Sequence, residues 1–297
     1  SYDCGYGDYG DRYFSTSIEN NQIIGPYCFS SCENCEVTNM SLSFDGSGDY
    51  VLIPYDNSFN VNNLTIEAWV YSGNFIQNGF IFEKGPLNSQ YALFFEGLNL
   101  TFRTQHSGNS QNNFVINSSD IGFTSNTWHH LAASYDGTTK KIFVDGSLVA
   151  STACTGALLS NTAGSIIGAY GGSGAHHYNF SGLIDEVEVW NIALTESEIQ
   201  ENMFNNLTGN ENGLVGYWNF NEGSGPTVSD LSGNGNNGTI NGATYSTETP
   251  PAPSVPDILL DQSLFTIYSD DGERRAEIRQ TIYGGMTDDP DNPIKDA

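Results

Sequence analysis

From Met40 onward, apolar and polar residues alternate with a period of two, interrupted at short intervals by Gly, Asn and Asp. Successive side chains of an extended strand point to opposite faces, so this rhythm predicts half-buried β-strands. Strands are expected at roughly 41–44, 49–53, 64–71, 79–84, 90–96, 99–105, 114–117, 127–135, 140–145, 147–150, 164–169 and 180–190. Leu214–Phe220 and Thr239–Ala243 return to strand near the end of this region. Asp136-Gly137 and Asp145-Gly146 read as tight hairpin turns, because Gly takes positive φ without steric cost. A single helix is predicted, opening on the capping box Thr195-Glu-Ser-Glu198 and running to about Phe204.

Within Gly182–Trp190, unbroken alternation would place Leu183, Asp185, Val187 and Val189 on one face. Ile184, Glu186, Glu188 and Trp190 would then share the other. A bare carboxylate in line with three aliphatic residues is costly to bury unless a cation or several donors neutralise it. Asp185 is therefore singled out, with calcium the expected partner; turn amides are the alternative. His129 and His130 are adjacent in a strand, so they face opposite ways and cannot chelate one metal. Tyr170, His177 and Tyr178 flank the Gly-rich loop Gly171-Gly-Ser-Gly174, where aromatic rings could stack on a sugar or simply be solvated.

Charge narrows the function classes. The chain of 297 residues carries 35 acidic and 9 basic residues, a formal charge of −26. Nucleic-acid binding needs basic patches, so it is excluded as a main activity. Binding to anionic lipid is disfavoured for the same reason, and no apolar run is long enough to insert in a membrane. Seven Asn-x-Ser/Thr sequons occur, against about six expected by chance at this composition, so they argue nothing about glycosylation.

The ends differ from the middle. Residues 1–39 hold Cys4, Cys28, Cys32 and Cys35 and read as an irregular arm pinned by two disulfides of open pairing. A zinc site built from the same four thiols is the alternative, and an iron–sulfur triad is a remote third. Cys154 is left over. Residues 40–248 form the main domain, 249–257 a Pro-rich linker, and 258–297 a C-terminal extension containing a β-hairpin around Asp270-Asp-Gly272. Arg274, Arg275 and Arg279 lie in that extension, opposite in sign to the rest of the chain.

Seven segments carry a family resemblance: Ser41–Val51, Leu64–Val70, Thr127–Gly137, Lys141–Val149, Gly182–Trp190, Gly213–Phe220 and Asp230–Thr239. In this order they resemble the laminin-G-like, concanavalin A-like jelly-roll modules of secreted proteins. The resemblance implies an all-β sandwich and a secreted or cell-surface location. It also implies a structural Ca2+ held by Asp185, with Asp45 and the Gly46 carbonyl as partners. Glycosidases of this fold carry acids at i, i+2 and i+4 of one strand. Here Glu186 and Glu188 would fill two places, with Ile184 and Trp190 at the neighbouring positions, so no catalytic residue is assigned. The expected activity is non-enzymatic adhesion, with glycans or surface proteins as partners. The alternative is a structural subunit of a surface filament that self-assembles through its two terminal extensions.

Overall fold

The structure is a computed structural model. It describes residues 39–251 apart from 75–76, 86–89, 107–109, 172–176 and 206, together with the backbones of four terminal strands. Of these, β1 (Tyr13–Glu19) and β2 (Gln22–Phe29) pair with each other. The sandwich begins with β3 (Ser41–Asp45), β4 (Tyr50–Ile53), β5 (Leu64–Tyr71) and β6 (Gln77–Lys84). It continues through β7 (Tyr91–Gly97), β8 (Asn99–His106), β9 (Ser110–Asn117), β10 (Trp128–Tyr135) and β11 (Thr139–Val144). Then follow β12 (Ser147–Ala153), β13 (Ser165–Ile167), β14 (Ser181–Trp190) and the helix α1 (Glu196–Asn202). The last sandwich strands are β15 (Leu214–Trp218), β16 (Thr227–Val228), β17 (Gly238–Asn241) and β18 (Thr244–Ser246). A second terminal hairpin pairs β19 (Phe265–Asp270) with β20 (Glu273–Ile278).

Two eight-stranded antiparallel sheets face each other. The first runs β12-β11-β10-β5-β14-β3-β18, with β15 also paired to β14; the second runs β16-β17-β4-β13-β6-β7-β8-β9. Their inner faces supply one core. Ile66, Val70, Leu131, Ile184, Val189 and Trp218 from the first sheet meet Ile53, Phe82, Leu93, Phe95 and Phe102 from the second. Trp218 is fully buried and stacks on Phe59 with centroids 6.4 Å apart. Each such apolar side chain contributes about 1.5–3 kcal/mol on burial. β15, β17 and β18 pair with β14, β4 and β3, so the last strands close the same sandwich.

Local signals are realised where predicted. Thr195 caps α1, its hydroxyl accepting from the Glu198 amide while Glu198 Oε2 accepts from the Thr195 amide at 2.7 Å. Asp145 and Gly146 take φ of 48° and 73°, the paired positive values of a two-residue hairpin turn. The arm expected to be irregular instead contains the antiparallel pair β1–β2, strands in which Tyr, Phe, Ile and Thr are frequent. Cys4, Cys32 and Cys35, and the side chain of Cys28, lie outside the described residues, as does most of the 249–257 linker. Cys154 is buried as a thiol.

Alternation fails in the one strand where the sequence reading leaned on it most. The pairing of β14 with β5 slips between Asp185 and Glu188, and Glu186 sits at φ 49°. This is a β-bulge: one extra residue on β14 reverses the parity of everything after it. Ile184, Val187 and Val189 therefore face the core. Asp185 and Glu188 face outward instead, each opposite an outward residue of β5, Trp69 and Glu67. The expected grouping of Asp185 with Val187 and Val189, and of Glu186 with Glu188, is overturned. The cause is backbone topology: β3 flanks β14 only up to Ile184 and β15 only from Val187, so the intervening residues lack a partner on that side.

Candidate functional site

At that bulge the outer face of the first sheet opens into a cleft of about 70 Å³, lined among others by Asn39, Trp69, His130, Asp185, Glu186 and Glu188. The far wall comes from the end of α1 and from Thr249–Pro251. Trp69 Nε1 donates to the Met203 carbonyl at 3.1 Å and Asn202 Nδ2 to Glu67 Oε1 at 3.3 Å, which ties the helix over the acids. Asp185 is 2% exposed, and Oδ1 accepts from the Glu186 amide at 2.8 Å. Glu188 accepts from Trp190 Nε1 at 3.0 Å, and Glu186 accepts from the Tyr217 hydroxyl.

This cluster is electrically unbalanced. Burial, and then the neighbouring Glu186, push the Asp185 carboxyl well above its ordinary range; burial likewise raises Glu186. Glu188 is raised by burial and then by Glu67, its directly opposed neighbour, and burial raises Glu67 in turn. The cleft's one basic side chain is His130, whose Nε2 lies 3.6 Å from Glu67 Oε2. Burial pulls its pKa down to about 4, so it is neutral at pH 7 and offers no counter-charge. His129, on the opposite face as expected, binds Asp145 through Nδ1 at 2.9 Å.

The expected calcium trio is not brought together. Asp45 pairs with Ser181, at the other end of β3 from Asp185, and four residues of strand separate the two positions by roughly 13 Å. Asp45 caps its own turn, Oδ1 accepting from the Ser47 amide at 2.7 Å, with Gly46 at φ 87°. Among the described residues, no three His, Cys, Asp or Glu side chains are arranged to hold a metal. Asp185 alone of the trio faces the cleft.

Of the expected aromatic trio, by contrast, Tyr170 and Tyr178 bring their rings together, and His177 joins them through its backbone. Tyr170 and His177 exchange backbone hydrogen bonds at 2.8 and 2.9 Å, closing the loop between them. Tyr178 follows at φ 50°, its carbonyl accepting from the Phe80 amide at 3.0 Å, and its side chain is 54% exposed. The rings of Tyr170 and Tyr178 lie 6.1 Å apart. Beneath them on the outer face of the second sheet, Phe80 and Phe94 stack at 4.3 Å and 2°. Arg103, on the adjacent strand, places its guanidinium 4.5 Å from the Phe94 centroid. Glu83 anchors the loop by accepting from the Gly171 amide at 2.8 Å.

Sequence reasoning missed Phe80, Phe94, Arg103 and Glu83. A signal existed for Phe94 alone: Phe94 and Phe95 are adjacent in a strand, so one ring had to face outward, whereas Phe80 and Phe82 would share a face and are parted only by the bulge between them. Trp69, Phe143, Trp190 and Trp218 are all buried packing residues.

Comparison with known proteins agrees with the fold. The chain superposes on a candidate carbohydrate binding protein of Bacteroides ovatus ATCC 8483 with a TM-score of 0.57 and 22% identity. That match covers 72% of this chain and 62% of the other, less than two thirds of its length. It is also similar to the heptameric SAP-like pentraxin of Limulus polyphemus, at TM-score 0.41 and 18% identity, over 56% of this chain and 82% of that one. No curated protein matches. Among the described residues no helix is long and apolar enough to cross a membrane. The laminin G model of the concanavalin A-like lectin/glucanases superfamily matches residues 45–200, just over half of the sequence, and the chain belongs to that family.

Proposed function

We propose that this chain is an extracellular, non-enzymatic adhesion module that binds glycans through Tyr170, His177 and Tyr178. The observation that carries the reading is Tyr178. A half-exposed ring is held at a backbone conformation unfavourable for its residue type, which is how rigid sites are presented. The neighbouring rings offer the apolar faces on which pyranose rings stack. Catalysis is disfavoured by access: Glu67 and Glu188 are 0% and 4% exposed beneath Asn202 and Trp190, leaving no room to flank a glycosidic bond. A glycan array probed with wild-type protein and Tyr178→Ala tests the proposal. Bound spots that vanish in the variant support it; uniformly blank spots overturn it.

Calcium belongs to the same proposal as a structural ion. Asp185 would supply one carboxylate and backbone carbonyls or waters the remaining oxygens, a donor set calcium accepts. Glu186 and Asn39 lie on the same cleft wall. Thermal unfolding with calcium and with chelator is the check, and coincident curves would remove the ion from the reading.

A second reading, a subunit of a surface filament, rests on the two terminal hairpins. Each forms a two-stranded sheet by itself, a unit marginal in water without something to pack on. Light scattering of the concentrated chain decides: a strict monomer ends the filament reading.

A further inference from the structure

Deepening the glycan reading, and resting on it, we infer that Arg103 reads a carboxylate, so that the preferred ligand is a carboxylate-bearing sugar.

The guanidinium is held rigidly from below. It lies 4.5 Å from the Phe94 centroid and 5.9 Å from that of Phe80, a cation–π contact with both rings of the stacked pair. Its Nε is committed, donating to Asn113 Oδ1 at 3.1 Å. Its two terminal nitrogens make no hydrogen bond to any described residue, and Arg103 forms no ion pair within 4 Å among them. A planar fork with Nε anchored and its outer N–H groups unused is matched to the paired oxygens of a carboxylate.

Position and charge fix what can use it. Glu83 and Arg103 both register with Ala92, on either side of it, which puts the guanidinium on the same face as the Phe80 and Phe94 rings. Tyr170 and Tyr178 pack on Phe80 at 5.2 and 6.4 Å, the same ring that the Arg103 guanidinium reaches at 5.9 Å. Residues 39–251 contain four basic side chains: Lys84, Arg103, Lys140 and Lys141. Lys84 and Lys140 are fully buried, and Lys141 belongs to the first sheet, which leaves Arg103 as the one cation on this face among the described residues. Against a chain charge of −26, one cation suits a sugar with a single carboxylate and not a densely sulfated polymer.

The test uses the full chain and uronate-terminated oligosaccharides, each paired with its carboxyl-reduced counterpart, measured by calorimetry. Reduction should weaken binding tenfold or more, about 1.4 kcal/mol. Arg103→Gln should abolish that difference while the residual affinity still depends on Tyr178; Arg103→Lys should restore only part of it. Equal binding of acid and reduced forms, with Tyr178 still required, overturns the carboxylate inference and leaves the glycan reading standing. Binding of neither form overturns both. Circular dichroism and thermal unfolding of each variant separate lost recognition from lost folding.

Discussion

On the outer face of the first sheet, Glu67 stands directly opposite Glu188, roofed by a helix. On the outer face of the second, Arg103 lies over a stacked Phe pair, its outer nitrogens hydrogen-bonded to no described residue. Both faces hold ionisable groups, Glu67 and Glu188 buried on the first and Arg103 partly buried on the second, and they answer burial differently. Among the described residues the acids receive few donors and no cation, and burial raises their proton affinity. Burial lowers the arginine's pKa, Glu83, Tyr170 and Glu96 offset part of that, and the guanidinium rests on aromatic faces. The first arrangement costs stability at high pH and hides its groups; the second displays them. A charged group marks a binding surface only where it remains reachable.

The comparison breaks most readily at its aromatic side. Phe94→Ala removes the floor under Arg103 and should cost about 3–5 kcal/mol of stability, read by denaturant unfolding, along with glycan affinity. Tyr178→Ala should leave stability within about 0.5 kcal/mol, since that ring is half exposed. Equal losses from the two would mean that the patch is ordinary core.

The bulge comes next. Glu186 occupies a left-handed conformation that a β-branched residue tolerates poorly. Glu186→Val should therefore cost about 1–3 kcal/mol, whereas Glu186→Gly should recover part of that loss. Indifference to both would deny the bulge its role in setting parity.

The acid cleft is sharpened by pH. A carboxyl whose pKa is raised on folding adds stability below its ordinary value of 4.5 and loses it as pH rises through the folded value, here about 8 for Glu67. Stability should fall between about pH 5 and 8, by at most about 1.4 kcal/mol per pH unit for each such proton. His130 runs the other way: its contribution is complete above 6.5 and fades as pH drops towards 4. Glu67→Gln should flatten the alkaline decline, and bound calcium should reverse it by favouring ionised acids. A slope unchanged in Glu67→Gln would mean that this acid is ionised at neutral pH. The smallest effect is at α1, where Thr195→Ala should cost about 1 kcal/mol through the lost cap.

Most sandwich strands, the capping box and the hairpin turns were legible in the sequence, because each depends on neighbours a few residues away, whereas β1, β2, β16 and β18 were not foreseen. Period two located β14 and its carboxylates. Local chemistry also set the acidic balance and the single helix. Which way Asp185 points was decided elsewhere, by where β3 stops and β15 starts along β14, since an unpartnered stretch of strand can absorb an extra residue and invert every side chain beyond it. Tertiary pairing likewise set Asp45 apart from Asp185, opposed Glu67 to Glu188 and carried Arg103 over Phe94. Those are contacts between distant segments, and no period within one segment encodes them.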